Sequence, residues 1–248
     1  MRAVALRQLL IADVAGPVVA VVPHPDDEAL GCGGLLALLA DARVPVDVIL
    51  VTDGSASHPA SRHWPPARLA ALRREEMRES LARLGLERAP LADLALPDGA
   101  VPGPGDPGFA LAAQTIAETL DASLARTLVA PWRRDAHADH RACHGLVREA
   151  LVRRRRRCAI RVFEYAVWDE RAAAEDRPLS GEAIEWTLDI AAARQRKAGA
   201  IAAHRSQCGL VVEDDPGGFV LPEAMRERAA GPVERYWEVV TEQAVRAP

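Results

Sequence analysis

The sequence predicts an α/β fold in which a parallel, doubly wound sheet carries helices on both faces. Two observations support this class. Short apolar runs rich in β-branched residues alternate with longer helical segments, and polar clusters follow several of these runs where each predicted strand ends. The chain has 248 residues, 49% of them hydrophobic, which is enough for a sizeable core. It shows no internal repeat or linker, so we expect one domain over residues 1–248.

Apolar runs bounded by turn-forming residues predict five strands, over residues 18–22, 46–51, 91–96, 127–130 and 160–167. Between them, segments rich in leucine and alanine or in charged residues predict helices over 30–40, 67–84, 110–124 and 140–155. The region after Trp168 is less regular. There the sequence predicts one helix over 191–204 and a final strand over 236–240.

Composition argues against several classes of partner. A net charge of −4 gives no general case for nucleic acid or a membrane surface, and the arginine run 153–157 suits the end of a helix. No apolar stretch is long enough to span a bilayer, and the N-terminus lacks the pattern of a signal peptide. The four cysteines form no CxxC pair, which favours a reducing cytoplasm over disulfides or a structural zinc site.

The most informative segment is His24-Pro25-Asp26-Asp27-Glu28, directly after the first predicted strand. Pro25 disfavours helix at His24, so the charges lie at a carboxyl strand end, where open α/β sheets bind their ligands. So many charges beside a core are costly unless they are neutralised, and a divalent metal ion is the most economical explanation. The alternative is a polar loop in which Asp26 or Asp27 caps the next helix and Glu28 has a structural role.

Polar residues also follow three further predicted strands: Asp53, Asp98, and the segment from His137 to His140. The carboxyl ends of parallel strands share one edge of the sheet, so we expect these side chains to converge on the first cluster. Asp53 and Asp98 each precede a glycine, so a turn-forming role competes with substrate contact at both positions.

Three residues form a set that suits catalytic zinc, which commonly takes two histidines and a carboxylate and keeps a position for water. His24, Asp27 and His140 would supply that set. Asp26 and Asp27 point in different directions in an extended loop, so one can bind the metal while the other faces the water and acts as general base. Of His137 and His140, one would bind the metal and the other could stabilise an oxyanion or protonate the leaving group.

Two motifs together resemble those of the PIG-L/LmbE-like zinc-dependent N-deacetylases. The first is His-Pro-Asp-Asp-Glu-Ala-Leu-Gly-Cys-Gly-Gly over 24–34, and the second is Asp-Ala-His-Ala-Asp-His-Arg-Ala over 135–142. Weaker similarity extends the resemblance over residues 18–207. It implies a Rossmann-like three-layer sandwich with a mostly parallel central sheet. It also implies hydrolytic removal of the N-acetyl group from an amino sugar or sugar conjugate of the N-acetylglucosaminyl type.

The resemblance also implies roles for individual residues. One Zn²⁺ per chain, or another divalent ion, would be bound by His24, Asp27 and His140. Asp26 would be the general base, with His137 and the adjacent Asp139 assisting the oxyanion or the leaving amine. The expected substrate contacts are Arg73, Asp98 and Asp53, although Arg73 could instead form a helical ion pair with Glu76. Some family members carry a tyrosine at the position of Asp135, so the group that polarises the amide carbonyl stays open.

Two other functions compete with the deacetylase. Asp and His clusters on α/β sheets also build the two-metal sites of phosphoesterases. A non-catalytic sugar-binding protein of the same fold is the other alternative, and the intact Asp26 argues against it. The expected partner is a small N-acetyl sugar, without nucleic acid or membrane, and a homo-oligomer stays open. The loop after Asp53 and the region after Trp168 are expected to shape specificity.

Overall fold

The computed structural model describes residues 7–156, 158–168 and 181–240. The N-terminal residues 1–6, and residues 169–180 of the region expected to shape specificity, lie outside this part of the chain. The strands are β1 (Arg7–Gln8), β2 (Val18–Val22), β3 (Val46–Thr52), β4 (Leu91–Leu96), β5 (Thr127–Pro131), β6 (Arg161–Tyr165), β7 (Ala183–Asp189) and β8 (Val233–Val239). The helices are α1 (Asp27–Asp41), α2 (Pro66–Arg83), α3 (Phe109–Ala122), α4 (Ala138–Arg153), α5 (Arg194–Ala203) and α6 (Glu223–Ala229).

The strands form one sheet in the order β1-β7-β8-β6-β5-β2-β3-β4. Strand β2 pairs in parallel with β3 and β5, and parallel pairing continues to β4 on one side and to β6 on the other. Strand β8 runs antiparallel to both β6 and β7. The strand order reverses between β2 and β5, which makes this the topological switch point of a Rossmann-like, mostly parallel sheet.

Strand β2 lies at the centre of the core, with all five residues buried. Its side chains alternate between two hydrophobic clusters, because successive residues of a strand face opposite sides of the sheet. Val18, Ala20 and Val22 join the cluster that includes residues of α1, α2 and α5. Val19 and Val21 join the cluster that includes residues of α3 and α4. Helices therefore cover both faces, and the predicted three-layer arrangement is confirmed.

Several elements differ from the prediction. Strands β1 and β7 and helix α6 are not predicted, and the final strand begins at Val233 rather than at residue 236. Helix α1 begins at Asp27, three residues before its predicted start. Among the described residues, no helix is long and apolar enough to cross a membrane.

Helix α1 is interrupted at Cys32, whose backbone has a non-helical φ of −140°. The glycines on either side let the helix approach its neighbours closely. A Cβ atom at Gly31 would lie 2.1 Å from Cδ2 of Tyr165, and one at Gly34 would lie 2.6 Å from Cδ1 of Ile190. The glycine-rich half of the first motif therefore allows close packing of α1 against its neighbours.

A buried carboxylate caps the second half of α1, after this interruption. Glu234 of β8 accepts the N–H groups of Gly34 and Leu35 at 2.7 and 2.8 Å. It also accepts hydrogen bonds from Nζ of Lys197, the only lysine of the chain, and from the hydroxyl of Tyr236, both at 2.6 Å. Glu234 therefore acts as a helix cap supplied from the opposite end of the sequence.

Candidate active site

The loops that follow β2, β3, β4 and β5 meet at the switch point and enclose a cavity of about 410 Å³. Most of the predicted site residues contribute to its wall. Those that line it are His24, Asp26, Asp27, Arg73, Asp98 and His137. His140 and Asp139 lie behind this wall and contact its residues. The strand ends therefore bring together residues that are more than 100 positions apart in sequence.

The centre of the site is the Asp27 carboxylate. Its Oδ2 lies 3.1 Å from Nδ1 of His24 and 3.1 Å from Nε2 of His140. His140 is fully buried, and neither of its ring nitrogens makes a hydrogen bond of acceptable geometry. A buried polar atom without a partner costs free energy. Two imidazole nitrogens around one carboxylate oxygen are the donor chemistry of a zinc-type ligand set, so these residues fit a divalent ion.

On each imidazole, the nitrogen that does not face Asp27 lies close to a further carboxylate. Nε2 of His24 lies 3.0 Å from Oδ2 of Asp139 and 3.2 Å from Oδ1 of Asp98. Nδ1 of His140 lies 3.4 Å from Oδ1 of Asp135. Metal-binding histidines usually present their second nitrogen to a carboxylate or carbonyl, which fixes the ring orientation. This arrangement therefore also fits metal binding.

Two sets of three donor atoms lie within 4.8 Å of one another in the described part of the chain. One consists of His24, His137 and His140, and the other of His24, Asp98 and Asp139. Neither contains Asp27, so the geometry offers His137 as a competing ligand. We favour Asp27 over His137 because its Oδ2 is close to both His24 and His140.

Asp26 has an unusual backbone conformation, with φ of 134°, in a region that few residues other than glycine adopt. Its N–H donates to Oε2 of Glu28 at 3.0 Å, and its Oδ2 lies 3.3 Å from Nη2 of Arg73. Burial raises the pKa of Asp26 to about 7, against the opposing effect of the Arg73 guanidinium. The carboxyl group is therefore suited to accept and return a proton near neutral pH.

Glu28 is fully buried and stabilises the backbone conformation of Asp26 by accepting its N–H. Its Oε1 accepts hydrogen bonds from Oγ of Ser80 at 2.5 Å and from Nε2 of His204 at 2.6 Å. Although burial lowers the pKa of His204, the Glu28 carboxylate raises it above the ordinary value. These contacts support the structural role for Glu28, because the carboxylate joins α1, α2 and the end of α5.

We expect Glu28→Ala to lower the free energy of unfolding by about 3–5 kcal/mol, because it leaves a buried histidine without its partner. Urea unfolding followed by circular dichroism measures this loss. The control is Glu79→Ala, which removes an exposed ion pair with Arg83 and should cost at most about 1 kcal/mol. Equal losses for the two variants would contradict the role assigned to Glu28.

Arg73 is buried and connects the loops after β2 and β3. Nη1 donates to the carbonyl of Gly54 at 2.6 Å, and Nη2 donates to the carbonyl of Pro25 at 2.7 Å. The helical ion pair with Glu76, the alternative that the sequence left open, is not formed. Glu76 instead accepts the N–H and hydroxyl of Ser206 at 2.8 and 2.6 Å.

The two Asp-Gly turns have different surroundings. Asp53 does not line the cavity, and its Oδ1 accepts the N–H groups of Ser55 and Asp98 at 3.0 and 3.3 Å, as a turn-forming residue does. Asp98 lines the cavity and accepts the N–H of Ala56 at 2.9 Å. Burial opposes the ionisation of Asp98, but hydrogen bonding to His24 lowers its pKa to about 2. Of the two, only Asp98 presents a charge to the cavity.

His137 is oriented by the start of α4. Its Nδ1 accepts the backbone N–H of Asp139 at 3.2 Å, so the neutral ring carries its proton on Nε2. Burial and the neighbouring His24 lower the pKa of His137, which favours this neutral form. The ring can therefore donate a hydrogen bond from Nε2.

Sequence reasoning does not single out four residues of the site, although two of them lie in the region after Trp168 that is expected to shape specificity. Asp135 accepts the N–H groups of Val167 and Trp168 at 3.1 and 3.3 Å in addition to its approach to His140. Trp168, Phe219 and Leu221 form an apolar wall of the cavity. Phe219 and Leu221 lie in a loop with no periodic pattern, so the only available signal was the presence of apolar residues in a turn-rich segment.

Comparison with known proteins identifies related chains. Residues 19–151 match the family model PIG-L, described as GlcNAc-PI de-N-acetylase. The chain is 32% identical over 146 residues to a 2′-N-acetylparomamine deacetylase of Streptomyces fradiae, a match that covers 55% of this chain and 52% of that protein. The match thus spans about half the length of this relative. It is 29% identical over 192 residues to a probable N-acetyl-α-D-glucosaminyl L-malate deacetylase 2 of Bacillus subtilis, covering 77% and 82% of the two chains.

Solved structures share the architecture. The N,N′-diacetylchitobiose deacetylase of Pyrococcus horikoshii aligns with a TM-score of 0.64 at 22% identity, over 85% of this chain and 73% of that one. A 4-carboxy-2-hydroxymuconate hydratase of Pseudomonas putida aligns with a TM-score of 0.66 at 19% identity, over 91% and 98%. These likenesses show the fold alone, because one architecture hosts more than one reaction.

Proposed function

Since the chain belongs to the PIG-L family of de-N-acetylases, we propose that it hydrolyses the N-acetyl group of an N-acetylated amino sugar or sugar conjugate. One observation carries this proposal. The Asp26 carboxyl, with a pKa near 7, lies on a cavity whose wall also holds His24 and Asp27, with His140 directly behind. A proton acceptor beside a metal-type donor set suits metal-assisted hydrolysis of an amide. The activities named for the two sequence relatives, both deacetylases, support the same reaction.

In this proposal His24, Asp27 and His140 hold one divalent ion per chain, and Zn²⁺ is the ion that best suits two imidazoles and a carboxylate. When bound, the ion would supply Lewis-acid chemistry at the amide carbonyl and make a nearby water more acidic. Asp139 and Asp135 would orient the two imidazoles through their outer nitrogens.

Asp26 takes a proton from the attacking water as the new C–O bond forms at the acetyl carbon. Nε2–H of His137 donates a hydrogen bond to the oxygen on which negative charge develops. When the C–N bond breaks and the carbonyl re-forms, the proton held by Asp26 passes to the amine nitrogen, so the products are the free amine and acetic acid, which ionises to acetate. Arg73, 3.3 Å from Asp26, keeps the carboxylate oriented throughout. Asp98, together with Arg73, forms the proposed substrate-binding side of the cavity.

We further propose a reducing, cytoplasmic setting, supported by four unpaired cysteines of which Cys32 and Cys143 are fully buried. The proposed partner is a small N-acetyl sugar, consistent with the substrates named for the relatives.

The activity is tested by released acetate. The purified chain is incubated with a set of N-acetylglucosaminyl conjugates, and acetate is quantified before chelation, after chelation and after readdition of Zn²⁺. We expect turnover that falls to background on chelation and returns with the metal, at one ion per chain. Phosphodiester hydrolysis without acetate release and with two ions per chain would instead support the phosphoesterase. Sugar binding without any turnover would support a non-catalytic protein.

A further inference from the structure

The lining of the cavity includes apolar side chains to which the proposed function gives no role. Charged groups of the lining are Asp26, Asp27 and Asp98. The same lining includes five apolar side chains: Leu30, Val167, Trp168, Phe219 and Leu221. A volume of about 410 Å³ lies in the lower part of the range for drug-sized ligands, ~300–1,000 Å³. The cavity therefore offers apolar surface beside the reacting end.

The apolar wall is held in place by its backbone. The N–H of Phe219 donates to the carbonyl of Ser57 at 2.6 Å, and the N–H of Leu221 donates to the carbonyl of Gln207 at 2.7 Å. The rings of Trp168 and Phe219 meet edge to face, with centroids 5.8 Å apart. Both aromatic residues stay partly exposed, while Leu221 is buried behind them. A preformed aromatic surface open to a cavity is the usual environment for an apolar part of a ligand.

The charges of the cavity argue against an anionic group at this position. Three carboxylates line the wall, and Arg73 is the only arginine or lysine among its described lining residues. The Nη atoms of Arg73 are already engaged by two backbone carbonyls and by Asp26. The carboxylates would offset the charge of a bound divalent ion, and the described lining offers an additional anion no guanidinium that is not already engaged.

We propose that the substrate carries an uncharged apolar group next to its N-acetylated sugar, and that Trp168, Phe219 and Leu221 bind this group. The inference rests on the proposed function, whose reacting end it extends. The apolar group can be the aglycone of a glycoside or an acyl chain on a hydroxyl of the sugar, and both have the same chemistry toward the wall.

Binding measurements test this inference separately from turnover. The Zn²⁺-supplied full chain is titrated calorimetrically with glucosamine, 4-nitrophenyl glucosaminide, glucosaminyl malate and 6-O-octanoylglucosamine. We expect the nitrophenyl or the octanoyl compound to bind ~10–100-fold more tightly than glucosamine, from burial of a phenyl-sized or larger group. Whichever of these two compounds binds more tightly shows whether the apolar group of the substrate is an aglycone or an acyl chain. Glucosaminyl malate should bind no more tightly than glucosamine.

Variants locate the effect on the apolar wall. Phe219→Ala and the milder Phe219→Leu should reduce the affinity ratio of the preferred apolar compound to glucosamine, the first more than the second. Leu111→Ala on α3, an exposed leucine away from the cavity, is the control and should keep the ratio. The inference is overturned if neither apolar compound binds more tightly than glucosamine, if the malate conjugate binds most tightly, or if Phe219→Ala keeps the full ratio. These affinity ratios test the apolar subsite alone. Absence of acetate release from every N-acetyl sugar would instead overturn the proposed reaction.

Discussion

Replacing Asp26 by asparagine is expected to lower kcat/KM for acetate release by ~10²–10⁴-fold, the usual contribution of a general base. Asparagine has the same shape and still accepts a hydrogen bond from Arg73. The variant should therefore keep its fold and metal while losing the group that takes the proton. Steady-state acetate release and metal analysis of the same preparation measure both quantities.

The control for this substitution is Asp41→Asn, on the exposed end of α1, where the carboxylate pairs only with Arg196 in the described structure. It should leave kcat/KM within a factor of two. If Asp26→Asn kept more than a tenth of the wild-type rate with its metal bound, another residue would have to take the proton. His137 would then be the next candidate, because it lines the same cavity.

Replacing His140 by alanine is expected to weaken metal binding by more than ~100-fold, since loss of an outer partner alone costs ~10–100-fold. The imidazole is fully buried against Oδ2 of Asp27, so its truncation removes one of the proposed donors. Acetate release should fall to background at limiting Zn²⁺. Metal content after gel filtration, and competition with a chromophoric chelator, measure the loss directly.

His144→Ala gives a matched comparison on the same helix. His144 lies one turn further along α4 and pairs with Glu164 at 3.0 Å rather than with a cavity residue. This variant should keep wild-type metal affinity. One tightly held ion per chain in His140→Ala, or equal losses in both variants, would argue against the proposed ligand set and favour one of the other donor groups around His24.

The parts of the fold that sequence reasoning predicts well are those with a local physical cause. Strands β2 and β4 begin and end as predicted because prolines flank their apolar runs, at 17 and 23 and at 90 and 97. Strand β7 has no such signal. Six of its seven residues are partly or fully exposed, and it is defined by pairing with β8, about 50 residues later in the chain.

The same distinction applies to the site. The positions of His24, Asp98 and His137 follow from the ends of parallel strands, which the sequence indicates. The positive φ of Asp26 and its support by Glu28 and His204 depend on contacts up to 176 residues apart, which no local pattern encodes. The apolar wall likewise depends on Phe219 meeting Ser57 across the sequence.

The cap that Glu234 provides for the second half of α1 has a consequence for the order of folding. Glu234 and Gly34 are 200 residues apart, and synthesis delivers the N-terminal segment first. The first motif therefore exists during most of synthesis without the carboxylate that completes its helix. Contacts of such long sequence separation form slowly, because the loop between them must close first. We therefore expect α1, and with it the segment that carries the proposed site, to be completed late in folding, after β8 has joined the sheet.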